Sequence, residues 1–144
     1  MSDLKQTVGF LHNVPLFHGL DNRQLEHIAK RMVERDFPAG QSIVTQGKGG
    51  EGFFVIVSGK AEALREHDGA KVTVNNFGAT DFFGELALLD DGLRTASVVT
   101  SEPTKCLVLT RWDFLAALRE GDVEMAIVIL QELAKRFRRA LDAL

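Results

Sequence analysis

The chain has 144 residues, 45% hydrophobic and 26% charged, with 17 Lys and Arg against 20 Asp and Glu and a formal net charge of −3. That length and apolar content suit one domain with a core of its own and exclude intrinsic disorder. No stretch approaches the roughly 18–20 apolar residues of a membrane helix, and an isoelectric point near 5.8 argues against a direct nucleic-acid partner. The opening residues, MSDLKQTVGFLHNVPLF, lack the apolar region of a secretion signal. The single cysteine, Cys106, cannot form an internal disulfide. Both features lead us to expect a cytoplasmic location.

In chain order, residues 1–30 read as helical. Asp21 followed by Gln24 has capping-box spacing and predicts a helix through Leu25, Ile28 and Ala29. From Arg31 to Thr110 the texture becomes all-β: runs 32–37, 42–45, 53–57, 60–65, 71–77, 94–100 and 105–110 are rich in Val, Ile, Phe and Thr and are separated by turn residues. Asp68-Gly69 between two such runs predicts a tight hairpin. Runs so short and numerous suggest a barrel or rolled sheet. After Thr110 the helical period returns. One helix ends near Gly121 and a second starts at Asp122. Its apolar positions Val123, Ile127, Leu130, Ala134, Phe137, Leu141 and Leu144 are spaced 4-3-4-3-4-3, a heptad seam. That seam could pack on the rolled sheet or on a second copy of the chain.

Two segments hold candidate chemistry. Residues 47–52, GKGGEG, have the G-x-G-x-x-G spacing of a dinucleotide loop, but the all-apolar run that follows is a strand rather than the helix such a loop needs, so a tight turn is expected. Residues 82–98, FFGELALLDDGLRTASV, are more informative. They read as a strand, a glycine, one acid, a helical turn, an Asp-Asp-Gly loop, and Arg94 opening the next strand. Free N–H groups at a helical turn favour anions, and Arg94 offers a permanently charged fork matched to phosphate oxygens. Glu85 can accept a hydrogen bond from a hydroxyl. The set suits a ligand with both a phosphate and a sugar hydroxyl, although spacing alone is equally satisfied by an Arg94–Glu85 ion pair across a hairpin. Four histidines share no spacing that would bind a metal. Trp112 and Phe114 are expected to pin the first closing helix to the rolled sheet, Cys106 to be a buried strand thiol, and Lys135, Arg136, Arg138 and Arg139 to form a solvated helix end.

FGELALL at 83–89 and, after a short loop, RTASV at 94–98 strongly resemble the phosphate-binding cassette of the cyclic nucleotide-binding domain family. The run IVTQG at 43–47, with 53–56 and Gly59, resembles that family's other signature. Lys48 departs from the family's usual small, acidic or amide residue, at a turn. The resemblance covers essentially the whole chain. It implies an α+β fold: an eight-stranded antiparallel β-roll, jelly-roll-like, flanked by N-terminal helices and two C-terminal helices. The whole chain, 1–144, would be one domain, with helices in 1–30, the roll in 31–110, the cassette at 83–98 and closing helices in 111–144.

By the same resemblance Glu85 would bind the ribose 2′-hydroxyl, with Gly84 allowing close approach. Leu86, Ala87 and Ala96 would offer backbone N–H groups to the cyclic phosphate, and Arg94 would be its main cation. Thr95 could bond the phosphate or a guanine amine, which leaves cAMP and cGMP both open, with cAMP favoured. Val72 and Val74 share one face, either against the base or in the core. The last helix would shift over the base, with a cap somewhere in 134–138. The implied function is a sensor and not an enzyme, with no metal and no cofactor beyond the ligand, acting on an effector protein. The alternatives are a ligand-independent dimerisation module using the last helix, and the sensor fragment of a larger transcription regulator or other effector.

Overall fold

A computed structural model describes residues 4–49, 52–90 and 92–144. Residues 1–3, Gly50 and Glu51 of the glycine-rich run, and Asp91 of the Asp-Asp-Gly loop lie outside the described residues. The chain divides into two compact units, Val33–Arg111 on the one hand and the residues up to Met32 with Trp112–Leu144 on the other.

The first unit is an antiparallel β-roll of eight strands: β1 (Val33–Phe37), β2 (Ser42–Val44), β3 (Gly52–Ser58), β4 (Ala61–His67), β5 (Ala70–Phe77), β6 (Phe82–Phe83), β7 (Ser97–Thr100) and β8 (Thr104–Thr110). They form two four-stranded sheets, ordered β1-β8-β3-β6 and β2-β7-β4-β5. Beta-branched and aromatic side chains suit a pleated, buried surface, and they make up five of the seven residues of β3, while β8 buries the apolar run Cys106–Leu109. β4 alternates instead, turning Ala61 and Ala63 inward. The shared interior holds Phe37, Phe54, Ile56, Phe83, Val98, Cys106 and Val108 among others. Phe54 stacks on Phe83 with ring centroids 5.1 Å apart, and the Phe77 ring centroid lies 5.2 Å from that of Phe83. Burying one such side chain contributes about 1.5–3 kcal/mol. The hairpin between β4 and β5 turns at Asp68 and Gly69, both left-handed at φ 54° and 81°, as a type I′ turn requires.

One strand is shorter than its sequence suggests. Residues 94–96 are not part of β7, which begins at Ser97. The Arg94 backbone is paired with a turn instead of a strand: Gly47 N donates to Arg94 O at 2.8 Å and Arg94 N donates to Lys48 O at 2.9 Å.

The helical unit contains α1 (Leu4–His12), a 3-10 turn (Pro15–Phe17), α2 (Asn22–Ala29), α3 (Arg111–Glu120) and α4 (Val123–Asp142). The capping box at α2 is complete: Gln24 N donates to Asp21 Oδ1 at 2.8 Å and Asp21 N to Gln24 Oε1 at 3.0 Å. Asp122 caps α4, accepting from Met125 N at 3.1 Å. The Gln24 amide also reaches Asp122 Oδ1 at 3.3 Å, so one side chain links both helix starts. Arg31 donates to Asp113 at 3.2 Å and to Glu120.

Phe114 is buried against Phe17 of the helical unit, with centroids 5.9 Å apart, whereas Trp112 is 71% exposed. The expected burial of Trp112 is therefore not seen. Two residues apart on a helix point to nearly opposite sides, so only one of the pair can be buried. On α4 the buried positions are Met125 and Ile129. The 4-3 stripe of Val123, Ile127, Leu130, Phe137 and Leu141 lies exposed.

Candidate functional site

The site begins where β6 ends. Phe83 pairs with Phe54 of β3 and the chain then turns at Gly84, whose φ is +84°. A Cβ at this position would stand 2.5 Å from Arg94 Nη1 and 2.7 Å from Gly52 O. Glycine is thus required twice, for the left-handed backbone and for the room beside the guanidinium. Glu85–Leu88 form a single 3-10 turn, anchored by the buried Leu88, while Leu86 is half exposed. Ala87 N donates to Gly84 O at 3.0 Å, which closes that turn. The Ala87 N–H, expected to serve an anion, is already engaged here.

Arg94 reaches in from the opposite side. Its Nη2 donates to Gly52 O at 2.5 Å. Its Nε is buried and, among the described residues, has no hydrogen-bond partner. Burial pulls the guanidinium below its ordinary pKa, though a guanidinium starts so high that it stays charged at neutral pH. A half-buried cation with an unused buried donor is costly unless something anionic or polar completes it. Arg65 Nε donates to Thr95 O at 3.3 Å and holds the next residue.

Between these two walls lies a cavity of about 390 Å³, within the roughly 300–1,000 Å³ of small-molecule sites. One wall is Gly84, Glu85, Leu86 and Ala87, the other Arg94, Thr95 and Ala96, and the floor is apolar: Val44, Ala63, Phe77, Phe83 and Val98. Seven of the nine residues singled out in the sequence therefore line one cavity. Val72 and Val74 do not. They are 57% and 46% exposed on β5, in neither the cavity nor the core. β5 is an edge strand paired only with β4, so its alternation defines a shared face without burying it. An apolar floor suits a flat ring, the cation an anion, and the Glu85 carboxylate a hydroxyl.

Some contributors escaped the sequence reading. The Gly52 carbonyl that receives Arg94 has no sequence signal, and the backbone of residues 47–48 pairs with Arg94 across more than forty positions. Phe77 read only as a strand residue, and Phe83 opened the cassette motif without being singled out as part of the cavity.

Comparison with known proteins bears on this arrangement. Residues 34–121 match the family described as "Cyclic nucleotide-binding domain". The chain is 34% identical over 146 residues to the Cyclic AMP receptor protein of Thermus thermophilus, an alignment covering 88% of this chain and 68% of the relative. It is 38% identical over 109 residues to a cAMP-dependent protein kinase regulatory subunit of Mucor circinelloides, covering 76% of this chain and 26% of the relative. Its fold matches the N-terminal domain of a transcriptional regulator from Streptomyces coelicolor A3(2) with a TM-score of 0.85 at 29% identity, over 94% of both chains.

Proposed function

Because this chain belongs to the cyclic nucleotide-binding domain family, we propose that its cavity takes up a cyclic nucleotide, cAMP ahead of cGMP, and that residues 1–144 act as one sensor domain for it. The domain is a regulatory binding domain of the receptor and kinase-subunit type, and not an enzyme. One observation carries the ligand assignment: the Arg94 guanidinium, half-buried beside Gly84, with a buried Nε left unused among the described residues. A cyclic phosphate diester presents one negative charge with no second ionisation, and a single cation balances it. In the bound state Arg94 and the backbone N–H groups of Leu86, Ala87 and Ala96 hold the phosphate, with the Ala87 N–H released from its turn bond. Glu85 accepts from the ribose 2′-hydroxyl, Thr95 sits beside the phosphate, and the purine rests on the apolar floor. The names of the relatives support cAMP as the preferred ligand.

Ligand changes the output only by binding one arrangement better than another. The proposed responding element is α4, which passes the signal to an effector protein. This chain spans about two-thirds of the receptor and a quarter of the kinase subunit. Titration calorimetry with cAMP, cGMP and AMP tests the ligand. The expected order is cAMP, then cGMP, with AMP far weaker because its dianionic, open phosphate mismatches a one-cation cradle; equal affinity for AMP would overturn the assignment.

A second reading rests on the exposed stripe of α4. An apolar 4-3 seam left in water favours pairing with a second copy of the chain, so we also propose a homodimer through α4.

A further inference from the structure

We propose that Gln46, which lines no part of the Arg94 cavity, is the positioning residue that fixes the phosphate-binding arginine from behind. The inference rests on the cyclic-nucleotide reading of that cavity and adds to it a residue outside the cassette. Among the described residues the guanidinium of Arg94 has Gly52 O as its hydrogen-bond partner and an Nε with none, so its aim depends on where its own backbone is held. That backbone is held by the turn at residues 45–48. Lys48 N donates to Thr45 O at 3.1 Å and Gly47, at φ +81°, occupies the left-handed third position. The outer edge of this turn clasps Arg94 through the two backbone bonds from Gly47 and to Lys48.

Gln46 in turn anchors the turn. Its side-chain amide pairs with both backbone groups of Glu66 in β4: Nε2 donates to Glu66 O at 3.0 Å and Oε1 accepts from Glu66 N at 2.7 Å. Its own N–H donates to Ser97 Oγ at 2.9 Å, at the first residue of β7. One half-buried side chain therefore ties the arginine's clasp to β4, while the Gln46 backbone ties it to the end of the cassette. Gln46 itself faces a separate cleft with Glu66 and Ser97, so a nucleotide in the Arg94 cavity does not touch it.

The test is a double-mutant cycle read by calorimetry on the full chain. Gln46→Met keeps the side-chain length and removes the amide pairing; Gln46→Asn keeps the amide but falls short of Glu66. Each is combined with Arg94→Ala, and thermal melts establish that every variant is folded at the temperature of measurement. Losing two neutral hydrogen bonds behind the arginine should weaken binding about three- to tenfold. The loss should be equal for cAMP and cGMP, which share the phosphate, and should vanish in the Arg94→Ala background. A folded Gln46→Met that binds like wild type, or a loss that persists in full without Arg94, would overturn the positioning role while leaving the ligand assignment standing. If Arg94→Ala itself binds like wild type, the assignment fails and this inference with it.

Discussion

At the scale of single residues the site is a matter of what surrounds one guanidinium. Gly84 leaves room for it, Gly52 gives it a carbonyl, and Glu85 stands on the opposite wall of the same cavity. Glycine at 84 was legible as part of a motif, but its reason was not, since the atom it would strike is Nη1 of a residue ten positions on. Cys106 illustrates the opposite case, a residue whose burial the apolar run around it already implied. It is fully buried in the roll, and burial, with Asp36 nearby, pushes its thiol from about 9 up to about 12. The folded pKa is raised, so its stabilising contribution is complete below pH about 9. It is lost progressively between about 9 and 12, at about 1.4 kcal/mol per pH unit. At pH 8 a disulfide reagent should react with Cys106 only as fast as the protein unfolds. Labelling at the rate of an exposed thiol under native conditions would show the roll open there.

At the scale of elements, local rules served well where the partner is local. The Asp21–Gln24 box and the Asp68-Gly69 hairpin both form as their spacing predicts, because each closes within three or four residues. They failed where a distant segment decides. The run 94–100 looks like one strand, yet its first three residues leave the sheet because the turn at 45–48 captures Arg94. Val72 and Val74 look half-buried by alternation, but an edge strand has a neighbour on one side only. Helix α4 carries the prediction at this scale. Its stripe includes Leu130 at 64% exposure and Leu141 at 50%. Sedimentation should find a concentration-dependent dimer for the wild type, and a monomer for Leu130→Glu combined with Leu141→Glu, since buried unpaired carboxylates are costly. A wild type that stays monomeric at every concentration, or a double variant that still pairs, would contradict the homodimer.

At the scale of the whole molecule, the chain organises as a β unit that contains the entire cavity and a helical unit that contains α4. The order of helices, short strands and helices was legible because hydrophobic period changes from 3.6 to 2 and back. The register of the strands and the pairing of the two sheets were not, because they depend on which segments meet in space. The proposed sensor role requires that binding in the cavity be felt at α4. Hydrogen exchange should therefore change along α4 on addition of cAMP, and unaltered protection there with the cavity saturated would remove the proposed output. The central claim, however, is that one arginine holds a cyclic phosphate. Calorimetric titration of cAMP into wild type and Arg94→Ala tests it most directly. Removing a charge-assisted contact of about 1.5–3 kcal/mol should weaken binding on the order of 10- to 100-fold; a dissociation constant unchanged by the substitution would contradict it.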